Sequence, residues 1–89
     1  MELIVESNEV KDWGVDCAIM LAILYAEENE AARKSKLDED GYFELTIDHV
    51  FDFYGIPEKR QRKAINFLKQ VNHVKTKLKG LPKKRYIKL

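Results

Sequence analysis

The feature that most constrains the fold is a twelve-residue run, 15–26, that is apolar on nearly every side. It reads VDCAIMLAILYA, which is too long for an ordinary strand and rich in alanine, leucine and methionine, so it predicts a helix. A helix that is apolar all round lies in the middle of a core. Because 89 residues make one small domain, we expect residues 1–89 to form a single domain around this helix.

Composition predicts a compact cytoplasmic domain. The chain is 45% hydrophobic with nine aromatic residues, which is too rich for a disordered tail. Cys17 is the one cysteine, so it cannot form an internal disulfide, and its apolar neighbours predict a buried thiol in a reducing compartment. The sequence has neither a run of about 18 uncharged apolar residues nor a secretory signal, so we expect no membrane contact.

The charge changes sign at Gly55. Residues 1–54 hold fourteen acidic and four basic residues, a net of −10, whereas residues 55–89 hold Glu58 and twelve basic residues, a net of +11, which together give the overall +1. A basic end of this density favours phosphate binding, because each cation that replaces a condensed counterion on nucleic acid is favoured entropically. The alternative is an ordinary solvated charge run.

The first half of the chain begins with a segment of ambiguous secondary structure and continues with a helix, a turn and a short strand. Residues 1–12 are an arm of uncertain structure: residues 2–6 fit a short strand, and Ser7 fits the cap of a short helix that runs to Trp13. The apolar helix is expected to emerge into solvent and fray between Glu30 and Lys36. Residues 38–41 (DEDG) predict a turn and residues 42–45 a short strand.

Two helices joined by a three-residue turn follow. Thr46 can cap a helix over residues 47–54, Gly55 can end it in the left-handed conformation, and Pro57 can begin the next helix over about 57–71. Asn72 can end that helix. This is the helix-turn-helix pattern. Residues 74–79 and 85–89 around a turn at 80–82 then predict a hairpin, so the fold class is α+β: a winged helix-turn-helix of three core helices, a small antiparallel sheet and a C-terminal wing, 74–89.

The helix over 57–71 has one apolar and one basic face. At 100° per residue its apolar stripe is Ala64, Ile65, Leu68 and Val71. The opposite face carries Lys59, Lys63, Asn66 and Gln70, with Arg62 on one flank and Arg60 on the other. This face contains no acid, and its alternative interpretation is a solvated surface opposite a core stripe.

The chain resembles the N-terminal winged-helix domain of phage and plasmid replication initiators, the replisome-organiser proteins often linked to a DnaD-like domain. The resemblance covers about residues 13–89. It rests on DEDGYF at 38–43, GIP at 55–57, QRKAI at 61–65 and KGLPKKRY at 79–86, of which the last two in combination are the most specific. It implies DNA binding, with the recognition helix in the major groove and the wing on the backbone or minor groove.

The matching positions are Gln61, Arg62 and Lys63 in the helix and Lys79, Gly80, Lys83, Lys84 and Arg85 in the wing. Arg62 can pair with guanine, and Asn66 or Gln70 with adenine, each good pair being worth about 1–3 kcal/mol of discrimination. Lys75, Lys77 and Lys79 share one strand face, which predicts phosphate contact; the alternative is an edge strand that uses lysine against aggregation. Arg85 is the candidate for minor-groove insertion at the wing tip.

Other chemistry has little support in the sequence. Asp48, His49 and Asp52 cluster on one helix, but a metal site needs three or four converging ligands, so we expect no metal, no cofactor and no enzymatic activity. The aromatic residues Trp13, Phe51, Tyr54 and Phe67 are expected in the core, with Phe67 partly exposed as a possible dimer contact.

Two functions therefore stand open. The first is double-stranded DNA binding, as a replication-initiation module or a small transcriptional regulator. The alternative is a protein-interaction winged helix, in which the basic face docks an acidic partner, and acidic residues at 27–30 and 38–40 dock a basic one or a second copy. For those acidic residues a merely solvated face is the more ordinary interpretation.

Overall fold

The computed structural model describes residues 3–89. Its helices are α1 (Ser7–Trp13), α2 (Val15–Arg33), α3 (Ile47–Tyr54) and α4 (Glu58–Gln70), and its strands are β1 (Phe43–Glu44), β2 (Lys75–Lys79) and β3 (Lys84–Lys88). The element order after α1 is the predicted helix, strand, helix, helix and hairpin. The α+β winged-helix architecture is therefore confirmed.

Helix α2 forms the centre of the core, as its composition predicts. Cys17, Met20, Leu21 and Leu24 are buried in one cluster with residues from β1, α3, α4 and β3. That cluster includes Phe43 from β1, Val50 from α3, Ile65 and Leu68 from α4, and Ile87 from β3. The Cys17 thiol is free and buried, and burial raises its pKa.

The N-terminal arm resolves in favour of the short helix. Residues 3–6 are neither helix nor strand, and Glu2, which the alternative strand included, lies outside the described residues. Glu6 stands at the cap position without a side-chain cap bond, so Ser7 is the first helical residue rather than the cap. Gly14, at a φ of +88°, separates α1 from α2.

The ends of α3 and α4 follow the predicted cap chemistry. The Thr46 hydroxyl accepts a hydrogen bond from the His49 backbone N–H at 3.1 Å, and Gly55 ends α3 in the left-handed conformation at φ +77°. Pro57 stands at the cap position of α4 without a side-chain cap bond, so the helix begins at Glu58 rather than at Pro57, and Asn72 takes a left-handed φ of +62° just beyond its end. These caps fix the angle at which α4 leaves the turn and so decide which of its faces looks outward.

The sheet is antiparallel with strand order β1–β3–β2. Phe43 lies opposite Ile87, and Thr76 lies opposite Ile87 from the other side, so these three side chains share the face that packs on the helices. The alternate residues form the opposite face. Within residues 3–89 no helix is long and apolar enough to span a membrane.

Two core predictions are wrong. Phe51 is 52% exposed, because a helix of eight residues packs only one narrow stripe, which Val50 occupies. Val71 is exposed too, because α4 has ended at Gln70 and the chain has turned away. Phe67 is partly buried and packs edge-on against Trp13, with ring centres 6.5 Å apart.

Candidate nucleic-acid interface

Helix α4 presents its basic face to solvent because its other face is locked into the core. Gln61, Ala64, Ile65 and Leu68 are buried. The residues about 180° away are all exposed: Lys59, Lys63, Asn66 and Gln70. Among the described residues, no carboxylate forms an ion pair with Lys59 or Lys63. The outward face of α4, defined as these four exposed residues, is therefore cationic.

The two flanking arginines differ from one another. Arg60 Nε donates to Asp16 Oδ2 of α2 at 3.1 Å, and this bond holds the pKa of the Asp16 carboxyl below its ordinary value. Arg60 is therefore turned toward α2, away from the outward face. Arg62 Nε donates to Glu58 Oε2 at 2.8 Å within α4. Both partners of that pair are well exposed, so the pair is weak and a phosphate or base can replace it.

Gln61 is a structural residue, contrary to the role that the resemblance implied for it. It is 0% exposed, and its Nε2 donates to the backbone oxygens of Ile47 at 3.0 Å and Ile56 at 2.7 Å. The side chain thus ties α4 to the first turn of α3 and to the turn between the helices. Gln61 cannot reach a base edge from this position.

Arg85 is likewise placed differently from the prediction. Its Nε donates to the Leu45 backbone oxygen at 2.9 Å and its Nη2 to Gln61 Oε1 at 3.3 Å. Burial lowers the pKa of the guanidinium, although it stays charged. Arg85 therefore braces the hairpin against α4 from inside, and it is not at the wing tip. The tip is the loop between β2 and β3, where Leu81 is 97% exposed and Lys83 is exposed.

The lysines of β2 are partly neutralised by the acidic half of the chain. Lys77 Nζ lies 2.7 Å from Asp38 Oδ2, and Lys79 Nζ lies 3.8 Å from the same oxygen. Asp38 also accepts from the backbone N–H groups of Asp40 and Tyr42. The hydrogen bond from Lys77 and these two backbone bonds lower the pKa of Asp38 to about 2. Lys84 lies 3.2 Å from Glu44, whereas Lys75 has no carboxylate partner among the described residues.

A groove joins the start of α4 to the wing. Its cavity volume is about 390 Å³, and it is lined on one side by Glu58 and Arg62 and on the other by Leu78 and Lys83. The groove brings Arg62 and Lys83 to one place. The Lys84 ammonium instead pairs with Glu44 on the other side of the sheet, where the β2 lysines also point. Lys69, which lies on the same flank as Arg62 and is exposed, was missed; the same helical wheel that located Arg62 would have found it.

Part of the predicted acidic surface is used internally. Glu27 accepts a hydrogen bond from the Tyr54 hydroxyl at 3.0 Å and lies 2.6 Å from His49 Nε2. Burial and that bond raise the pKa of Tyr54. Glu30 pairs with Arg33 and Lys34. In residues 3–89 no group of three or more histidine, cysteine, aspartate or glutamate side chains is placed to hold a metal ion.

Comparisons with known proteins identify the fold. Neither a protein-family model nor a curated protein matches the chain. Two solved structures are similar over nearly all of it. The N-terminal domain of a DNA-binding protein has a TM-score of 0.74 and 23% identity, covering 99% of this chain and 71% of that one. A Rep–DNA complex has a TM-score of 0.77 and 23% identity, covering 100% of this chain and 74% of that one. The chain thus shares its fold with these two structures.

Proposed function

We propose that this domain binds double-stranded DNA by inserting the outward face of α4 into the major groove. The observation that carries the proposal is that Lys59, Lys63, Asn66 and Gln70 are exposed together, on the second helix of a helix-turn-helix, with no carboxylate among them. The start of a recognition helix is the part that reaches base edges in this geometry. The fold neighbours, a DNA-binding protein and a Rep–DNA complex, support the same function.

The residues divide into two kinds of contact. Arg62, Asn66 and Gln70 can make paired hydrogen bonds to base edges, which is how sequence is read. Lys59, Lys63, Lys69 and Lys83 carry a charge but no planar fork, so they suit phosphates. Lys83 and Leu81 stand at the wing tip, where the wing would follow the backbone or enter the minor groove. The biological role that fits best is a replication-initiation module, with a small transcriptional regulator as the second possibility; no catalytic step is part of the proposal.

Fluorescence anisotropy with labelled duplexes tests this function. We expect binding at low salt that weakens steeply as salt rises, with a slope that corresponds to about 4–6 phosphate contacts. Lys63→Gln should lower the affinity, and Lys11→Gln, which removes the same charge from exposed α1, is the matched control. Failure to bind any duplex at low salt, or equal losses for the two variants, would contradict the proposal.

A second candidate function, docking of a protein partner, is favoured by one observation. Phe51 and Phe53 of α3 are 52% and 59% exposed, which is unusual for phenylalanine on a small domain. A pull-down from lysate treated with nuclease separates the two functions. A partner that is retained after nuclease treatment and lost in Phe53→Ser supports docking, whereas a partner that disappears with nuclease was bound through DNA.

A further inference from the structure

The outer face of the sheet is a second cationic surface, distinct from α4. We define it as the side chains of Tyr42, Glu44, Lys75, Lys77, Lys79, Lys84, Tyr86 and Lys88. Their strand neighbours Phe43 and Ile87 are buried against the helices, so the alternation of a β-strand directs the outer face away from them. This surface and the outward face of α4 therefore lie on different sides of the protein.

Tyr86 occupies the centre of the outer face. It lies opposite Glu44 on one neighbouring strand and opposite Lys77 on the other, while Lys84 and Lys88 stand two residues to either side along β3. The Nζ of Lys79 lies 5.1 Å from the centre of the Tyr86 ring. Tyr42 repeats the arrangement, with the Nζ of Lys77 at 4.1 Å from its ring centre. Aromatic rings are thus interleaved with ammonium groups across this face.

The carboxylates nearby neutralise only part of this charge. Lys77 is held firmly, because Asp38 is mostly buried and is fixed by two backbone N–H groups. Lys84 and Glu44 are both close to half exposed, so their pair contributes little. Lys79 lies 3.8 Å from Asp38 and is more than half exposed. Within residues 3–89, Lys75 and Lys88 have no carboxylate partner.

We propose that the outer face of the sheet binds single-stranded nucleic acid. Bases whose faces are unpaired stack on aromatic side chains, and a cationic groove follows the phosphates, which is the common design of sites for single strands. Tyr86 provides the stacking surface, and Lys75, Lys79, Lys84 and Lys88 contact the backbone on either side. A duplex cannot use this surface in the same way, because its base faces are already stacked on each other. The proposal goes beyond duplex binding by α4 and does not depend on it.

Lys79 is the group that must move when a base arrives. Its ammonium covers the Tyr86 ring, where a stacked base would lie, and it is held there by this cation–π contact and by the long contact with Asp38. Moving outward would take Lys79 from the ring to the phosphate of the same nucleotide. The cation–π contact that is lost is thereby replaced by an ion pair with a full charge.

The experiment measures binding of labelled oligo(dT) and oligo(U) of about 12 nucleotides, within the usual site size, at low salt. Tyr86→Leu keeps the apolar bulk and removes the aromatic face, so it should weaken binding about fivefold or more. Tyr86→Phe should bind as the unmodified protein does. The double variant Lys75→Gln/Lys88→Gln changes only side chains without ion pairs and should reduce both affinity and salt dependence. Thermal unfolding confirms that each variant is folded.

The matched control is Lys59→Gln/Lys63→Gln on α4. It should lose duplex binding and keep oligo(dT) binding, and excess duplex should not displace oligo(dT) from the unmodified protein. Binding of oligo(dT), oligo(U) or both supports the proposal and shows which strand the surface prefers. The proposal is overturned if neither oligonucleotide binds, if both sheet variants bind like the unmodified protein, or if the α4 variant loses as much as they do. Loss of the duplex function alone would leave this result intact.

Discussion

At the scale of single residues, the buried Gln61 organises the site more than any exposed cation does. Its amide satisfies two backbone oxygens at 3.0 and 2.7 Å, and its own oxygen accepts from Arg85. One side chain thus joins α3, the turn, α4 and the hairpin. The orientation of the outward face of α4 depends on this junction, although Gln61 itself reaches no ligand.

Replacing Gln61 tests this role. Gln61→Leu retains the volume but leaves the Ile47 and Ile56 oxygens without their partner, which should lower the free energy of unfolding by about 1–3 kcal/mol. Gln70→Leu, on the exposed side of the same helix, should change it by about 0.5 kcal/mol or less. Urea unfolding followed by circular dichroism measures both. Equal stability of the two variants would show that Gln61 has no such structural role.

At the scale of elements, the features that could be predicted from the sequence are those that depend on residues close together in the chain. Thr46, Gly55 and Asn72 act as caps through their own backbone and side-chain chemistry, so the ends of α3 and α4 could be predicted. The prediction put Arg85 at the wing tip because its neighbours in the sequence are basic. Strand alternation with the buried Ile87 instead places Arg85 on the inner face of the sheet. The pairing of Asp38 with Lys77 could not be predicted, since 39 residues separate the two.

That pairing makes the turn at 38–42 and strand β2 a pH-dependent unit. The pKa of Asp38 is about 2 in the folded protein, below its ordinary 3.8, because Lys77 and two backbone N–H groups favour the carboxylate. The Asp38 carboxylate therefore contributes its full stabilisation at pH values above its ordinary pKa of 3.8. This stabilisation is lost as the pH falls toward the folded-state pKa of about 2.

Asp38→Asn should lower the stability of the protein at neutral pH. It should also reduce the loss of stability that the unmodified protein shows between about pH 4 and pH 2. Thermal unfolding across this range, with Asp40→Asn as the control in the same turn, checks it. Identical pH profiles for Asp38→Asn and the unmodified protein would contradict the pairing.

Helix α4 and the wing should contribute differently to duplex recognition, α4 through base contacts and the wing through phosphate contacts. Arg62→Ala should relax discrimination at one base position by about 5- to 150-fold, the equivalent of a lost bidentate pair. Lys83→Ala should lower the affinity for every duplex by the same factor whatever its sequence, because a phosphate contact carries no sequence information. Affinities for a duplex selected from a random pool and for its single-base variants provide the measurement. Uniform weakening by Arg62→Ala would assign that residue to the backbone instead.

At the scale of the whole molecule, folding reduces the charge asymmetry of the sequence. Asp16 with Arg60, Asp38 with Lys77, and Glu44 with Lys84 each join the acidic half to the basic half. The cations that remain unpaired are therefore a selected subset. Among residues 3–89, two groups of lysines without a carboxylate partner lie on the outward face of α4 (Lys59 and Lys63) and on the outer face of the sheet (Lys75 and Lys88), the surfaces to which we assign nucleic-acid binding.

The most direct test of duplex recognition by α4 is a titration of isotope-labelled protein with duplex DNA, followed by amide chemical shifts. The largest changes should fall on residues 59–70 of α4 and on the loop between β2 and β3, with α1 and the exposed residues at the end of α2 unaffected. If the largest chemical-shift changes fell on α1 and α2 and the shifts of α4 did not change, the assignment of the outward face of α4 as the surface that binds duplex DNA would be contradicted.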